Sequence, residues 1–349
     1  MKKTFFLTFF ALIFICSVFS HGKTDKTQKY KLNKPKGNKI EFAETWGYVV
    51  QNREEFYNEN LPISDVCYFA ADFNCYGELI DIPKRSNLKI SPNSRCHIVF
   101  ICDNVSLSHF LITPQFSLRD SAIQQIVDAS KDFDGVQLDF ELVPQRDNEI
   151  FLEFVQLLKS KLEKTYGKNK KIYTICVPAR TKLLQNDIFP YEKFSEIFDR
   201  IFVMAYDEHW STSSPGPIAS LEWCEKITNY ANSTIPSEKL IMGIPFYART
   251  WVDETPQGAW IFETMNKKFI ENNVKKITYE NEIPTTNYKQ TVNVKAYFND
   301  AYSLVEFCRF YKNQGIQNVG FWRIGQEDTE FWNWIKCTSH YVDCNLTLN

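Results

Sequence analysis

The sequence has few histidines and no cysteine pair at metal-binding spacing. Its five histidines are scattered, and its ten cysteines include no C-x-x-C pair, the spacing typical of structural zinc sites. No metal and no cofactor are therefore expected. Without Cys16, which lies in the N-terminal apolar run, nine cysteines remain. An odd number excludes a fully paired disulfide framework, and Cys337 with Cys344 is the one local pair considered for a bridge.

The sequence also lacks an excess of either charge. Forty Lys and Arg residues against forty-two Asp and Glu give a formal net charge of −2, with no basic stripe of the kind that nucleic-acid-binding domains carry. Nucleic acid is therefore not an expected partner. Beyond the N-terminus no apolar run approaches the roughly 20 residues of a membrane helix, so no stable membrane span is expected after signal cleavage.

The N-terminus has the three parts of a secretory signal peptide. Met1-Lys2-Lys3 precedes an apolar run over residues 5–19, and the small residue Ser20 follows it. We predict a signal peptide at residues 1–20, a flexible polar tether at 21–40 and a single folded domain at 41–349. The product is expected to be exported, either secreted or retained in the periplasm or cell envelope. An uncleaved anchor and lipid attachment at Cys16 remain alternatives.

Short runs rich in Val, Ile, Phe and Tyr recur along the domain, with amphipathic segments between several of them. This alternation is typical of βα units and a parallel sheet. Eight strands fit a closed (β/α)₈ barrel of the α/β class. The predicted strands are Trp46–Val50, Val66–Asp72, His97–Cys102, Gly135–Glu141, Ile172–Val177, Arg200–Tyr206, Lys239–Pro245 and Asn318–Trp322.

A long connection separates the seventh strand from the final barrel helix. Residues of about 250–298 far exceed the usual loop length, and they contain two strand-like segments, Ile277–Tyr279 and Val292–Val294. We predict a small α+β insertion that walls a cleft at the barrel mouth, with an insertion of no function as the alternative. Ser117 and Asp147 are predicted N-caps of the helices before and after the fourth strand.

The segment from Phe133 to Glu141 carries the candidate chemistry. Side chains alternate faces along a strand, so Gln137, Asp139 and Glu141 share the barrel side. Two close carboxylates disfavour double ionisation, and one of them keeps a proton to higher pH. A carboxylic acid protonated near neutrality suits a glycosidase that must protonate a leaving oxygen. Glu141, nearest the mouth, is the candidate acid.

Several motifs resemble glycoside hydrolase family 18. The fourth strand is similar to the family pattern D-G-x-D-x-D-x-E, with Gln137 where the pattern has Asp. The resemblance is closest to the branch of bacterial spore-cortex-lytic and related N-acetylglucosaminidases. It rests on the segments Asp134–Glu141, Met204–Trp210, Pro215–Pro217, Ile235–Pro236, Gly243–Tyr247 and Gly320–Trp322.

The resemblance implies substrate-assisted catalysis. Glu141 would protonate the glycosidic oxygen, Asp139 would orient the substrate acetamido group, and the Tyr206 hydroxyl would bind the acetamido oxygen. Asp134 and Gln137 would support Asp139 from below, and Trp322 would form the floor under the sugar that is cut. The further substrate contacts it implies are Met204, Asp207 and Tyr247.

The expected function is a retaining hydrolase of β-linked N-acetylglucosamine glycans, with peptidoglycan ahead of chitin or N-glycan cores. The expected partner is an N-acetylglucosamine-containing polysaccharide, and a monomer is expected. A glycan-binding protein that has lost catalysis is the main alternative, although such relatives usually lack the terminal Glu that stands here as Glu141. An interaction protein of a cell wall or host surface, with incidental hydrolysis, is a further alternative.

Overall fold

The computed structural model describes residues 31–253 and 261–339. The chain divides into two units, residues 1–33 and 34–349, and residues 31–33 of the first unit carry no helix or strand. The predicted signal peptide, most of the predicted tether and Cys344 lie outside the described residues. Cys337 is described, and its Sγ lies 3.3 Å from the carbonyl oxygen of Ala43.

The described strands are short and spread over the whole second unit. In chain order they are β1 (Ile40–Phe42), β2 (Glu44–Val50), β3 (Asp65–Phe73), β4 (Leu79–Ile80), β5 (Arg95–Cys102), β6 (Gly135–Phe140), β7 (Ile172–Pro178), β8 (Arg200–Met204), β9 (Leu240–Pro245), β10 (Arg249–Val252), β11 (Thr278–Glu280), β12 (Ile283–Thr285), β13 (Val294–Tyr297), β14 (Asn318–Trp322) and β15 (Ile335–Cys337).

The described helices lie between β5 and β14. They are α1 (Val105–Ile112), α2 (Arg119–Ala129), α3 (Asn148–Tyr166), α4 (Tyr191–Ile197), α5 (Leu221–Thr234), α6 (Phe262–Glu271) and α7 (Ala301–Asn313). In residues 31–253 and 261–339, no helix combines the length and the apolar character that crossing a bilayer requires.

Eight parallel strands close into a barrel. Their order around it is β2, β14, β9, β8, β7, β6, β5, β3, and the β2–β3 pairing completes the ring. Each strand predicted from the sequence is present, with ends that agree to within two residues. The predicted α/β barrel is therefore confirmed. Because all eight strands run in one direction, their carboxyl ends meet at one mouth.

Side-chain alternation separates two apolar cores. On β6, Val136, Leu138 and Phe140 point outward and pack with the helices; Phe140 lies 5.9 Å from Phe154 of α3, ring centre to ring centre. Inside the barrel a second and smaller cluster includes Trp46, Tyr48, Cys67, Val99, Cys176, Phe202 and Ile241. The barrel interior is thus filled below the mouth, and the space left for a ligand lies at the carboxyl ends.

Charged side chains fill the opposite, amino end of the barrel. Glu44 accepts hydrogen bonds from Arg200 at 2.6 and 2.9 Å and from Arg95 at 3.1 Å. Asp65 accepts from Arg95 at 2.6 Å and is hydrogen-bonded to His97 at 2.8 Å. Buried charges persist only when they are paired, and here each carboxylate has basic partners.

Two local expectations differ from the structure. Ser117 does not cap α2, because it adopts a left-handed conformation with φ 57° after a 3-10 turn and leaves Leu118 at the N-cap. Asp147 stands at the start of α3 without a capping hydrogen bond, since its carboxylate is bound to His109 at 2.7 Å. The connections after β2 and β3 contain 3-10 turns and no α-helix.

The long connection after β9 carries its own strands. β10 pairs antiparallel with β13, and β11 pairs antiparallel with β12. The predicted segment Val292–Val294 overlaps the start of β13, and Ile277–Tyr279 overlaps β11. β10, at the exit of the barrel, was not predicted; its first residue, Arg249, reaches the barrel mouth.

Candidate active site

A cavity of about 560 Å³ opens at the carboxyl ends of the barrel strands. Seven of the nine predicted site residues line it, namely Asp139, Glu141, Met204, Tyr206, Asp207, Tyr247 and Trp322. Its other lining residues are Tyr48, Phe69, Cys176, Pro178, Ala179, Ala248, Arg249 and Gln326. The cavity therefore collects residues from strands far apart in the sequence.

The two candidate carboxylates lie on the same face of one strand. Asp139 is the last inward residue of β6 and is 4% exposed, with Oδ1 making no hydrogen bond. Glu141 follows the strand and is exposed to the cavity; its backbone N–H donates to the carbonyl of Cys102 at 3.1 Å. The buried carboxylate lies at the floor, and the accessible one lies where a glycosidic oxygen could reach it.

Both carboxyl groups favour the protonated state. Burial raises the pKa of Asp139 from its ordinary 3.8 to about 8, and the neighbouring Glu141 carboxylate contributes to the rise. Partial desolvation by the cavity walls likewise raises the pKa of Glu141, with smaller contributions from Asp103 and Asp207. Because these charges repel each other in a poorly hydrated pocket, the pair retains a proton near neutral pH.

Aromatic side chains form the rest of the floor. Trp322, the last residue of β14, makes edge contacts with Tyr48 and Phe69 at ring-centre distances of 5.3 and 4.8 Å. Tyr206 follows β8, and burial keeps the pKa of its hydroxyl well above the ordinary value. The hydroxyl therefore stays protonated and can donate a hydrogen bond to a ligand.

One wall of the cavity is a compact polar cluster. Asp207 adopts a left-handed backbone with φ 62°. Its Oδ1 accepts hydrogen bonds from the Tyr247 hydroxyl at 2.5 Å and from two nitrogens of Arg249 at 2.5 and 3.1 Å. Arg249 also lies over the Tyr247 ring, 5.3 Å from its centre. These contacts leave Asp207 Oδ2 as the carboxylate oxygen available to a sugar hydroxyl.

Two predicted site residues do not line the cavity. Asp134 precedes β6 at the opposite end of the strand, where its Oδ2 accepts from Arg85 at 3.2 Å and from the backbone N–H of Cys96 at 2.7 Å. Gln137 is fully buried one step below Asp139, and neither of its amide atoms makes a hydrogen bond. Neither residue therefore makes the expected supporting hydrogen bond to Asp139.

Eight lining residues were not predicted from the sequence, and three of them make side-chain polar contacts, namely Tyr48, Cys176 and Arg249. Tyr48 and Cys176 have inward parity on β2 and β7, so strand alternation alone could have placed them in the barrel. Arg249 follows Tyr247 by two residues, and a cation directly after a barrel strand was an available signal. Its contact with Asp207 could not be inferred, because it depends on where β10 leaves the barrel.

The arrangement can deliver a proton to a sugar-sized ligand and stabilise a developing positive charge. Glu141 offers the proton, Asp139 offers a carboxylate oxygen without a partner, and Trp322 offers an apolar face on which a sugar ring can stack. Across the part of the chain that the structure describes, no cluster of His, Cys, Asp or Glu residues has the composition to hold a metal ion.

Comparison with known proteins identifies relatives. The sequence pattern of the family "Glycosyl hydrolases family 18" matches residues 114–327. The uncharacterized glycosylase YvbX of Bacillus subtilis is 32% identical over 121 residues, 34% of each chain. The cortical fragment-lytic enzyme of Bacillus anthracis is 24% identical over 233 residues, 62% of this chain and 53% of that enzyme. The chain thus spans from about a third to about half of these relatives.

Structural comparison agrees with the sequence. The spore cortex-lytic enzyme SleL of Bacillus cereus superimposes with a TM-score of 0.66 at 21% identity, covering 87% of this chain and 77% of that one. At this identity the likeness establishes the barrel fold. The relatives match the predicted cortex-lytic branch. Since the family pattern covers more than half of the sequence, the chain belongs to the glycosyl hydrolases of family 18.

Proposed function

We propose that the chain is a retaining glycoside hydrolase that cleaves β-linked N-acetylglucosamine glycans by substrate-assisted catalysis. The observation that carries this proposal is the placement of Asp139 and Glu141 on one strand face, in one cavity, with raised pKa values. Family membership supports glycosidase activity. The presence of Glu141 favours catalysis over a purely glycan-binding role.

In this mechanism Glu141 is the general acid and then the general base. It donates its proton to the glycosidic oxygen while the acetamido carbonyl oxygen of the substrate attacks the anomeric carbon. The bond from that carbon to the leaving oxygen breaks, and a cyclic oxazolinium ion forms. Water then attacks the anomeric carbon while Glu141 removes a proton from the water, and the bond from that carbon to the acetamido oxygen breaks, which restores the acetamido group. The two inversions at the carbon give retention.

Asp139 and Tyr206 hold the acetamido group during this step. The partnerless Oδ1 of Asp139 accepts the acetamido N–H, and the Tyr206 hydroxyl donates to the acetamido oxygen. Hydrogen bonding to the charged form of a carboxylate favours that form. Substrate binding therefore shifts the retained proton of the pair from Asp139 towards Glu141, and the resulting Asp139 carboxylate stabilises the positive oxazolinium ring.

The cavity walls fit a saccharide. The Trp322 ring, held by edge contacts with Tyr48 and Phe69, supplies a stacking surface for the sugar at the cleavage point. Asp207, oriented by Tyr247 and Arg249, supplies an acceptor for a sugar hydroxyl. Met204 lines the side of the same space.

Among the possible substrates we propose peptidoglycan ahead of chitin. Relatives named as cortical fragment-lytic and spore cortex-lytic enzymes support this order. Residues 1–20 have the form of a signal peptide, and we propose that they export the chain to the compartment where such a polymer lies. The roles proposed for Glu141 and Asp139 depend neither on which polymer is the substrate nor on export.

The test compares wild type with Glu141→Gln on a fluorogenic N-acetylglucosamine oligomer, on purified muropeptides and on chitin oligomers. We expect turnover of at least one substrate, a loss of about 10²-fold or more in Glu141→Gln, and retention of anomeric configuration by proton NMR. Glu149→Gln, an exposed carboxylate on α3, is the matched control and should leave turnover unchanged. Saturable binding without turnover by the wild type would instead identify a glycan-binding protein.

A further inference from the structure

The thiol of Cys176 lies beside the buried carboxyl group of Asp139. Strand β7 pairs in parallel with β6, and the last pair of their register is Leu138 and Ile175. One further residue along each strand brings Asp139 level with Cys176. Facing residues of neighbouring parallel strands point to the same side of a sheet. Both side chains accordingly line the same cavity, and both are 4% exposed.

Cys176 has a hydrogen-bond partner on its other side. The Tyr48 hydroxyl lies 3.3 Å from Cys176 Sγ, and Tyr48 is 1% exposed. Burial, reinforced by the Asp139 charge, raises the pKa of Cys176 well above its ordinary value. The group is therefore a neutral thiol with one hydrogen to donate, while its sulfur can accept from Tyr48.

Asp139 has few other donors in its surroundings. Its neighbour on the same strand, Gln137, makes no hydrogen bond with either amide atom. The other titratable groups that interact electrostatically with Asp139 are Glu141, Asp103, Tyr206 and Cys67. None of them is a cation. Among the groups that act on Asp139, the Cys176 side chain is the one that lowers its pKa, against the larger rise from burial and Glu141.

We propose that Cys176 is a positioning residue for Asp139: its S–H donates to the carboxylate, and the Tyr48 hydroxyl orients the sulfur by donating to it. It takes the place of the supporting contact that Gln137 was expected to make with Asp139. It favours the charged form of Asp139 and so assists the shift of the shared proton from Asp139 towards Glu141 when substrate binds. The catalytic consequence rests on the proposed function above.

The kinetic test is the pH profile of kcat/KM for Cys176→Ala, Cys176→Ser and Tyr48→Phe. Loss of a donor to the charged carboxylate raises the pKa of Asp139, so the acidic limb of Cys176→Ala should move to higher pH by roughly half a unit or more. Cys176→Ser keeps a donor and should restore the wild-type limb. Tyr48→Phe should give a smaller displacement in the same direction.

Cys67→Ala is the matched control. Cys67 is fully buried in the same interior cluster and also neighbours Tyr48, so its removal creates a similar void without removing a donor to Asp139. Its acidic limb should not move. Equal displacement in Cys67→Ala and Cys176→Ala, or failure of serine to restore the limb, would overturn the proposal in favour of a packing role.

An infrared measurement separates this inference from the proposed function. The S–H stretching band of Cys176, identified by its loss in Cys176→Ala, should shift to higher frequency in Asp139→Asn, where the charged acceptor is gone. It should also shift when Asp139 is protonated by lowering the pH. An inactive protein with these shifts would refute the hydrolase and leave the hydrogen bond intact, whereas a band insensitive to Asp139 would refute the hydrogen bond.

Discussion

Replacing Asp139 by Asn should stabilise the protein more as the pH rises. The folded state holds the Asp139 proton to about pH 8, whereas the ordinary pKa is 3.8. Between these values the folded chain binds a proton that the unfolded chain releases. Raising the pH therefore favours unfolding, and the contribution of Asp139 to stability, complete below about pH 4, is lost progressively up to about pH 8.

The magnitude follows from the same two values. At about 1.4 kcal/mol per pKa unit, a rise from 3.8 to about 8 gives a pH-dependent loss on the order of 6 kcal/mol. Asn is isosteric and cannot ionise, so Asp139→Asn should escape this loss. The difference in free energy of unfolding between Asp139→Asn and wild type should grow steadily across the window, then level off above it.

Urea denaturation of both proteins at a series of pH values from 4 to 9 measures this difference. Glu141→Gln provides a second arm, because removal of the Glu141 charge takes away part of what raises the pKa of Asp139. Its stability should accordingly fall less with pH than that of wild type. A difference between Asp139→Asn and wild type that is constant with pH would refute the assignment of a proton to Asp139 in the folded state.

Three further changes test other parts of the structure. Gly135→Ala should cost about 1–3 kcal/mol of stability by urea denaturation, because an added Cβ would lie 2.1 Å from His97 Nδ1; wild-type stability would contradict the close contact. Arg200→Met leaves Glu44 with one fewer buried partner and should cost about 3–5 kcal/mol, measured the same way. Trp322→Ala should raise KM on an oligosaccharide, and an unchanged KM would remove the stacking role.

The sequence was sufficient to predict the barrel because its strands are short and apolar, with amphipathic segments between several of them. Alternation along residues 135–141 placed Asp139 and Glu141 on the inner face, and the structure has both in one cavity. Alternation is a local property, so it holds wherever the strand is regular. The same reasoning applied to β2 and β7 would have found Tyr48 and Cys176.

Contacts between distant segments were not accessible in this way. Gln137 and Asp139 lie on the same face of one strand, as alternation predicts, but the amide of Gln137 makes no hydrogen bond. The link from Arg249 to Asp207 depends on the path of the chain after β9. Likewise, the partner of Asp147 is His109 of α1, which no pattern around the predicted cap encodes.

The two ends of the barrel both contain buried carboxyl groups, but their surroundings shift the pKa values in opposite directions. At the amino end burial acts to raise the pKa of Glu44, but the hydrogen bonds and charge of Arg200 and the charge of Arg95 together outweigh it, and the net shift is downward. At the carboxyl end burial acts on Asp139 in the same way, yet among the residues described no cation contacts Asp139 or Glu141. Arg249, which also lines that cavity, is engaged by Asp207. The barrel thus neutralises its lower carboxylates with arginine and its upper ones with a retained proton, and only a proton can be transferred to a leaving group.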